Sequence, residues 1–202
     1  MHSSTDRERL LHLAQRKSVL ATADVVAAGI HTQELSRLVR AGAIERIARG
    51  QYRLPEQPIT EHHGFVIAAR AAPRGVICLL SALSFHGIGT QLPFEVWMAI
   101  DRRARRPSLR HPPLHIVRFT GQALAAGIET HDIEGQAVRV YGVAKTIADC
   151  FKYRNKVGLD VPLEALRETW RARRFGMDEM DRYARICRVE RVMGPYLEAL
   201  VG

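Results

Sequence analysis

The stretch Thr22–Leu54, TADVVAAGIHTQELSRLVRAGAIERIARGQYRL, constrains this chain more than any other part of it. Thr22 predicts a helix start, because its hydroxyl can accept a free backbone N–H, and Asp24 in the first turn suits the positive end of the helix dipole. Gly29 predicts the stop. A second helix is expected from Thr32 to Gly42, where a residue without a Cβ can take the left-handed conformation that closes helices. Within it Leu35, Leu38 and Val39 recur at the spacing of one apolar stripe, and Gln33, Ser36, Arg37 and Arg40 recur on the opposite side. Ile44, Ile47, Tyr52 and Leu54 then read as strand residues around an Arg49-Gly50 turn, with Arg46, Arg49 and Arg53 able to point outward. Two helices followed by a basic hairpin make a winged helix-turn-helix.

Such a surface suits double-stranded DNA. Arg can bond O6 and N7 of guanine together, and Gln can do the same to N6 and N7 of adenine. Gln33, Ser36, Arg37 and Arg40 are therefore assigned to base edges, and Arg46, Arg49 and Arg53 to phosphates. The competing reading of the second helix is an ordinary amphipathic helix with a solvated polar face; the basic hairpin beside it argues for DNA. The formal net charge of +9 on 202 residues also implies a polyanionic partner. Nearly all of the positive charge is Arg, which favours bidentate contact to phosphates and bases but also follows from GC-rich coding, so it counts lightly.

Around this stretch, Leu10, Leu11, Leu13 and Ala14 among charges predict a supporting helix over Asp6–Gln15. Pro55–Ile59 is the expected boundary, giving a DNA-binding domain at 1–56 and a second domain at 57–202. The second domain is expected to open with a helix from His62 to Ala72, broken by Pro73-Arg74-Gly75. GVICLLSALSFHGIG then predicts a short strand or turn leading into a helix from Ser81 to His86, closed by Gly87. Phe94–Ile100 and Leu114–Phe119 read as strands. The DRRARRPSLRHPP segment between them carries Arg102, Arg103, Arg105, Arg106 and Arg110, a candidate second basic contact or a solvated loop. Thr120 is expected to cap a short helix, and Ile128–Ile133 with Gln136–Tyr141 to form a hairpin around Glu134-Gly135. A helix from Val143 to Tyr153 is expected with Ile147, Cys150 and Phe151 inward and Lys145, Asp149 and Lys152 outward. Three more helices follow, at 162–174, 177–187 and 189–201. The expected class is α+β: an N-terminal winged helix-turn-helix followed by a mixed α/β domain with a helical C-terminal tail.

Nothing in the residues composes a catalyst. Restriction-type nucleases need an acidic residue followed by E-x-K to hold a metal ion and polarise water, and no E-x-K occurs. The G-S-x-D-x-D carboxylates of nucleotidyltransferases are absent too, and Gly142-Val143-Ala144-Lys145-Thr146 lacks the spacing of a phosphate loop. His62-His63 are adjacent, so a helix would splay them, and His111 and His115 lie in a proline-broken segment; no metal set is completed. His86 reads as a packed, hydrogen-bonded residue. The chain is accordingly expected to be no enzyme, with no catalytic residue, metal or cofactor. Cys78, Cys150 and Cys187 lie far apart without C-x-x-C spacing, as suits a reducing cytoplasm. The charged N-terminus does not resemble a signal peptide, and the apolar stretches Phe65–Ala69 and Val76–Leu83 are too short to span a bilayer, so a cytoplasmic protein with no membrane partner is expected.

VYGVAKTIADCFKYRNKVGLDVPLEALRE, at Val140–Glu168, closely resembles the C-terminal part of the AbiEi family, the antitoxins of type IV toxin–antitoxin systems. ARGQYRLP, GVICLLSALSFHGIG and FEVWMAI also look like that family, so the resemblance runs from about Val19 to Glu168. It implies a winged helix that binds inverted repeats in the promoter of its own operon, as a repressor, and a C-terminal domain required to neutralise the toxin. The family toxin, AbiEii, is a nucleotidyltransferase-like protein encoded alongside and opposed either directly or indirectly. Lys145, Asp149, Arg154, Asn155 and Lys156 are the polar residues of the segment and its candidates for antitoxin function, with a packing role as the alternative. The alternative to the whole reading is a lone winged-helix regulator, or a protein-interaction module, without a toxin partner.

Overall fold

A computed structural model describes residues 5–56 and 60–201. Residues 57–59 of the expected boundary, and the first four of the charged N-terminus, lie outside the described residues. The chain divides by packing into two units, the first comprising 1–73, 107–112 and 131–138 and the second 74–106, 113–130 and 139–202. The first packing unit is thus larger than the winged-helix segment read from the sequence.

In the first unit, α1 (Asp6–Arg16) starts on a capping box: the Thr5 hydroxyl accepts from the Glu8 N–H, and the Glu8 carboxylate accepts from the Thr5 N–H. Leu10 and Ala14, one helical turn apart, are its buried stripe. A two-residue strand, β1 (Leu20–Ala21), leads into α2 (Thr22–Ala27). Thr22 does not cap this helix, contrary to its sequence reading. Because Ala21 is still extended, it occupies the N-cap position, and its N–H donates to the Asp24 carboxylate at 2.8 Å. The Thr22 hydroxyl instead donates to the Gly50 carbonyl at 3.4 Å. After α2 comes α3 (Gln33–Arg40), closed by Gly42 at φ +69. The hairpin β2 (Glu45–Ala48) and β3 (Gln51–Arg53) forms a three-stranded sheet in the order β1-β3-β2, with Leu20 opposite Tyr52 and Arg46 opposite Tyr52 on its other side. Leu10, Ala14, Leu20, Val25, Ile30, Leu35, Leu38 and Ile44 make one apolar core.

The helix α4 (His63–Ala71) belongs to this same unit. Its Arg70 guanidinium donates to Asp24 at 2.6 Å, and its Ile67 carbonyl accepts from the Gln51 amide at 3.2 Å. Lys17 donates to the other Asp24 oxygen at 2.7 Å. Burial pushes the Asp24 carboxyl up, but Lys17, the Ala21 N–H and Arg70 outweigh it and leave its pKa below the ordinary value.

The other sheet has five strands, and the 131–138 tip of its last hairpin is counted with the first unit. The strands are β4 (Val76–Ile77), β5 (Val96–Asp101), β6 (Leu114–Phe119), β7 (Ile128–Ile133) and β8 (Gln136–Tyr141), in the order β6-β5-β4-β8-β7. β5 runs parallel to β6 and antiparallel to β4, and β4 runs parallel to β8. The helices are α5 (Leu79–Phe85), α6 (Gly121–Ala125), α7 (Val143–Lys152), α8 (Arg154–Val157), α9 (Asp160–Arg171), α10 (Met177–Cys187) and α11 (Glu190–Val201). Mixed α+β architecture with a helical C-terminal run is therefore what the chain adopts. The strand read as Phe94–Ile100 starts at Val96, whose N–H donates to the Pro113 carbonyl at 2.9 Å; Phe94, in the bend after Pro93, is 87% exposed. α5 starts at Leu79 rather than Ser81, and the one-turn helix α8 had no sequence expectation.

The centre of the second unit is α7, whose eight consecutive residues Ala144–Phe151 are all buried. It packs against α5, α9 and α10. Lys145 and Asp149 were expected to face outward and instead lie inside, 0% and 2% exposed. A 3.6-residue period separates the two faces of a helix, but here both faces are covered, so the polar stripe is enclosed as well.

Candidate nucleic-acid interface

The opposed faces of α3 are present as read. Leu35 and Leu38 are buried, while Gln33, Ser36, Arg37 and Arg40 are exposed together on the other side. The helix entry is held by His31, whose Nδ1 accepts from the Gln33 N–H at 3.2 Å. Arg37 pairs with Glu34 one turn earlier yet keeps 60% of its side chain exposed, so the guanidinium is steadied without being covered. Arg40 has its side chain in solvent at the helix C-terminus, where a cation is favoured.

The wing places its arginines unequally. Arg49 sits exposed in the turn, beside Gly50 at φ +71. A Cβ at Gly50 would meet the Thr22 hydroxyl at 3.3 Å, so both conformation and space favour glycine. Arg46 is exposed, with its Nε donating to the Ala48 carbonyl at 3.3 Å. Arg53 is the exception among the seven. Its guanidinium pairs with Glu45 across the hairpin, where the two residues are in register, and its side chain is only 17% exposed.

Arg102, Arg103, Arg105, Arg106 and Arg110 are exposed along the connection between β5 and β6. That connection is pinned from beneath by Arg118, which donates to the carbonyls of Asp101, Arg102 and Ala104. Arg106 also donates to the Leu114 carbonyl at 3.2 Å.

In the Val140–Glu168 segment, Lys145 and Asp149 form an ion pair at 2.5 Å across one helical turn. The Lys145 ammonium also lies 4.1 Å from the Tyr141 ring centre and 5.0 Å from that of Phe119. Cys187 donates to the second Asp149 oxygen at 3.2 Å. Burial raises the Asp149 pKa, and Lys145 and Cys187 pull against that rise. Arg154 donates to the Phe151 carbonyl at 3.0 Å, closing α7, while Asn155 and Lys156 are exposed. The i, i+4 spacing of Lys145 and Asp149 lets them pair on one helix face but does not mark that face as buried. His86 is packed as read, hydrogen-bonded to the Tyr141 carbonyl at 2.8 Å.

Sequence reasoning passed over the acid that organises the first unit's second cluster. Glu134, at the tip of the β7–β8 hairpin, accepts from the Thr60 N–H and hydroxyl at 2.7 and 2.8 Å and pairs with His63 at 2.7 Å. Burial raises its pKa, but His63 and Thr60 more than offset this and hold the carboxyl below its ordinary value. No local pattern announces these partners, which are more than 70 positions away. Among the described residues no group of His, Cys, Asp and Glu is arranged to hold a metal ion, and no helix is long and apolar enough to cross a membrane.

Three helices, a recognition-type helix with an exposed Gln/Ser/Arg face and a small basic wing define a winged helix-turn-helix of the DNA-binding class. Residues 8–55, spanning that module, match the family described as "Transcriptional regulator, AbiEi antitoxin", so this segment is similar to the regulator domain of that family. No curated protein matches the chain. Among solved structures, the crystal structure of the RV2827C protein from Mycobacterium tuberculosis is similar in fold, with a TM-score of 0.61 at 13% identity, over 91% of this chain and 72% of that one.

Proposed function

We propose that this chain is a DNA-binding repressor of its own operon and the antitoxin of a type IV system, counteracting a nucleotidyltransferase-like toxin. The observation that carries the DNA-binding half is the exposed Gln33, Ser36, Arg37 and Arg40 face on a helix whose other face is buried, inside a segment that matches an antitoxin regulator family. In this reading residues 1–56 form the DNA-binding domain. α3 enters the major groove with those four residues at base edges, while Arg46 and Arg49 take phosphates. Arg53 braces the wing through Glu45 and contributes to phosphate binding mainly by shape and field. Residues 57–202 supply the antitoxin domain, with no catalytic step of their own. Arg154, Asn155 and Lys156 are its accessible polar candidates, and the Lys145–Asp149 pair supports them from inside.

A gel-shift titration with DNA from upstream of the operon tests the first half. Binding to inverted repeats there, tighter than to random duplex, is expected; no shift even at low salt would remove the repressor reading. Co-expression with a nucleotidyltransferase-like toxin, if its reading frame is found beside this gene, tests the second. Growth should be rescued by the full chain and not by residues 1–56 alone. Failure of the full chain to rescue would leave a regulator without antitoxin function.

A further inference from the structure

The second unit has a cavity of about 590 Å³ that the DNA-binding reading does not use. Its walls come from three places: the end of β6 running into α6, the last turn of α7, and the last turn of α10. These bring Arg118, Lys152, Arg185 and Arg188 around one opening. The acid that lines it is Asp149, whose charge is already matched by Lys145. Two helix C-termini point their partial negative charge at the same space. Each is worth about half an elementary charge, so together they offset about one of the four cations and leave the cavity strongly positive.

The cations are not consumed by their neighbours. Arg118 spends hydrogen bonds on three backbone carbonyls, which fix it in place without neutralising it. Lys152, Arg185 and Arg188 are exposed, and none is ion-paired among the described residues. Neutral groups complete the lining. Thr120 stands at the N-cap position of α6, but its hydroxyl makes no capping bond. The Tyr153 phenol is pushed up to about 12 by burial and by Asp149, so it stays a neutral hydroxyl at physiological pH, and its ring packs tilted against Phe119.

We propose that this cavity is a binding site for a nucleoside polyphosphate. Lys152, Arg185 and Arg188 take its phosphate oxygens, Thr120 donates a neutral hydrogen bond, and the Tyr153–Phe119 side gives the base an aromatic wall. Arg118 acts as a fixed positive charge at the rim. The concavity favours a small ligand over a duplex, because a DNA backbone presents its phosphates on a convex surface. The volume also falls within the usual range of about 300–1,000 Å³ for small-molecule sites.

Isothermal titration of the full-length chain with ATP, GTP and inorganic tripolyphosphate tests this. Saturable binding is expected for all three, tighter for the nucleotides than for tripolyphosphate, and weaker as salt rises. Lys152→Gln and Arg185→Gln should each weaken binding by about tenfold, as loss of one charge-assisted contact does, while Arg167→Gln on α9 should change nothing. In the unmutated protein, ATP should also protect Lys152 from acetylation by a soluble reagent, read by mass spectrometry. Three results would overturn the proposal: no saturable binding of any of the three; equal weakening by Arg167→Gln; or no protection of Lys152. Random duplex DNA whose binding depends on Lys152 and Arg185, without nucleotide binding, would reassign the cations to a DNA backbone. Operator binding through α3 is read separately by gel shift, so either conclusion can fall alone.

Discussion

Lys145 and Asp149 carry opposite charges in a buried place, 0% and 2% exposed, and each is tolerable only because of the other. Their i, i+4 spacing puts the ammonium on the carboxylate, and Cys187 and the Tyr141 ring occupy the remaining polar directions. Removing one partner leaves a buried charge uncompensated, so Lys145→Ala or Asp149→Ala should cost about 3–5 kcal/mol in chemical denaturation. Lys145→Met with Asp149→Leu should recover most of that loss. A double variant no more stable than the singles would contradict this account. On the α3 face the expectation is different in kind. Arg37→Ala and Arg40→Ala should cost about 1–3 kcal/mol at the operator and little on random DNA, whereas Arg49→Ala should weaken both and reduce the salt slope by about one. Because Arg53 is held by Glu45, Arg53→Ala should lower the melting temperature more clearly than it lowers the salt slope. Equal effects on both DNAs from every arginine would remove α3 from the groove.

At the level of elements, two carboxylates fasten the first unit. Asp24 joins α2 to Lys17 and to Arg70 of α4, and Glu134 joins the tip of the β7–β8 hairpin to Thr60 and His63. Both have pKa values below their ordinary range. A group depressed in the folded state adds stability above its unfolded pKa, about 4, and loses it as pH falls through the lower folded value. Thermal stability should therefore be flat near neutrality and drop below about pH 4. Asp24→Asn and Glu134→Gln should lower the neutral plateau and make the acid limb shallower; an unchanged acid limb in both would show that other groups set it. The sequence made the helices and strands legible because their apolar periods are local. It also suggested Asp24 as a first-turn acid, but not its bridging role, since Lys17 and Arg70 reach it only after the chain has folded.

For the whole molecule, the division into packing units does not follow the chain. α4 lies beyond the Pro-rich segment yet packs with the winged helix, so a fragment ending at Pro73 should melt higher than one ending at Glu56, which lacks both Arg70 and the Ile67 carbonyl. Equal melting temperatures would mean that α4 adds nothing to the first unit's stability. The family match likewise falls on residues 8–55, whereas the resemblance read from the sequence rested most heavily on Val140–Glu168. The match therefore supports the regulator reading of the winged-helix segment alone, and the rescue experiment tests the antitoxin reading of the rest.

The sequence by itself determined the winged helix-turn-helix: its apolar stripe, its glycine stops, its basic turn and the four residues of the exposed α3 face are all set by neighbours within a few positions. It also fixed most strands of the second unit, whose alternation and runs are equally local. Only the tertiary structure decided which polar residues face solvent. Lys145 and Asp149 went inside because α10, the Tyr141 and Phe119 rings and Cys187 cover the polar side of α7 while α5 and α9 pack against the helix too, and Arg53 was tied up because hairpin register sets Glu45 beside it. Lys152, Arg185 and Arg188 share a cavity because two helices end at the same place. Burial and charge proximity depend on what distant segments bring to a residue, and a local pattern carries no record of that.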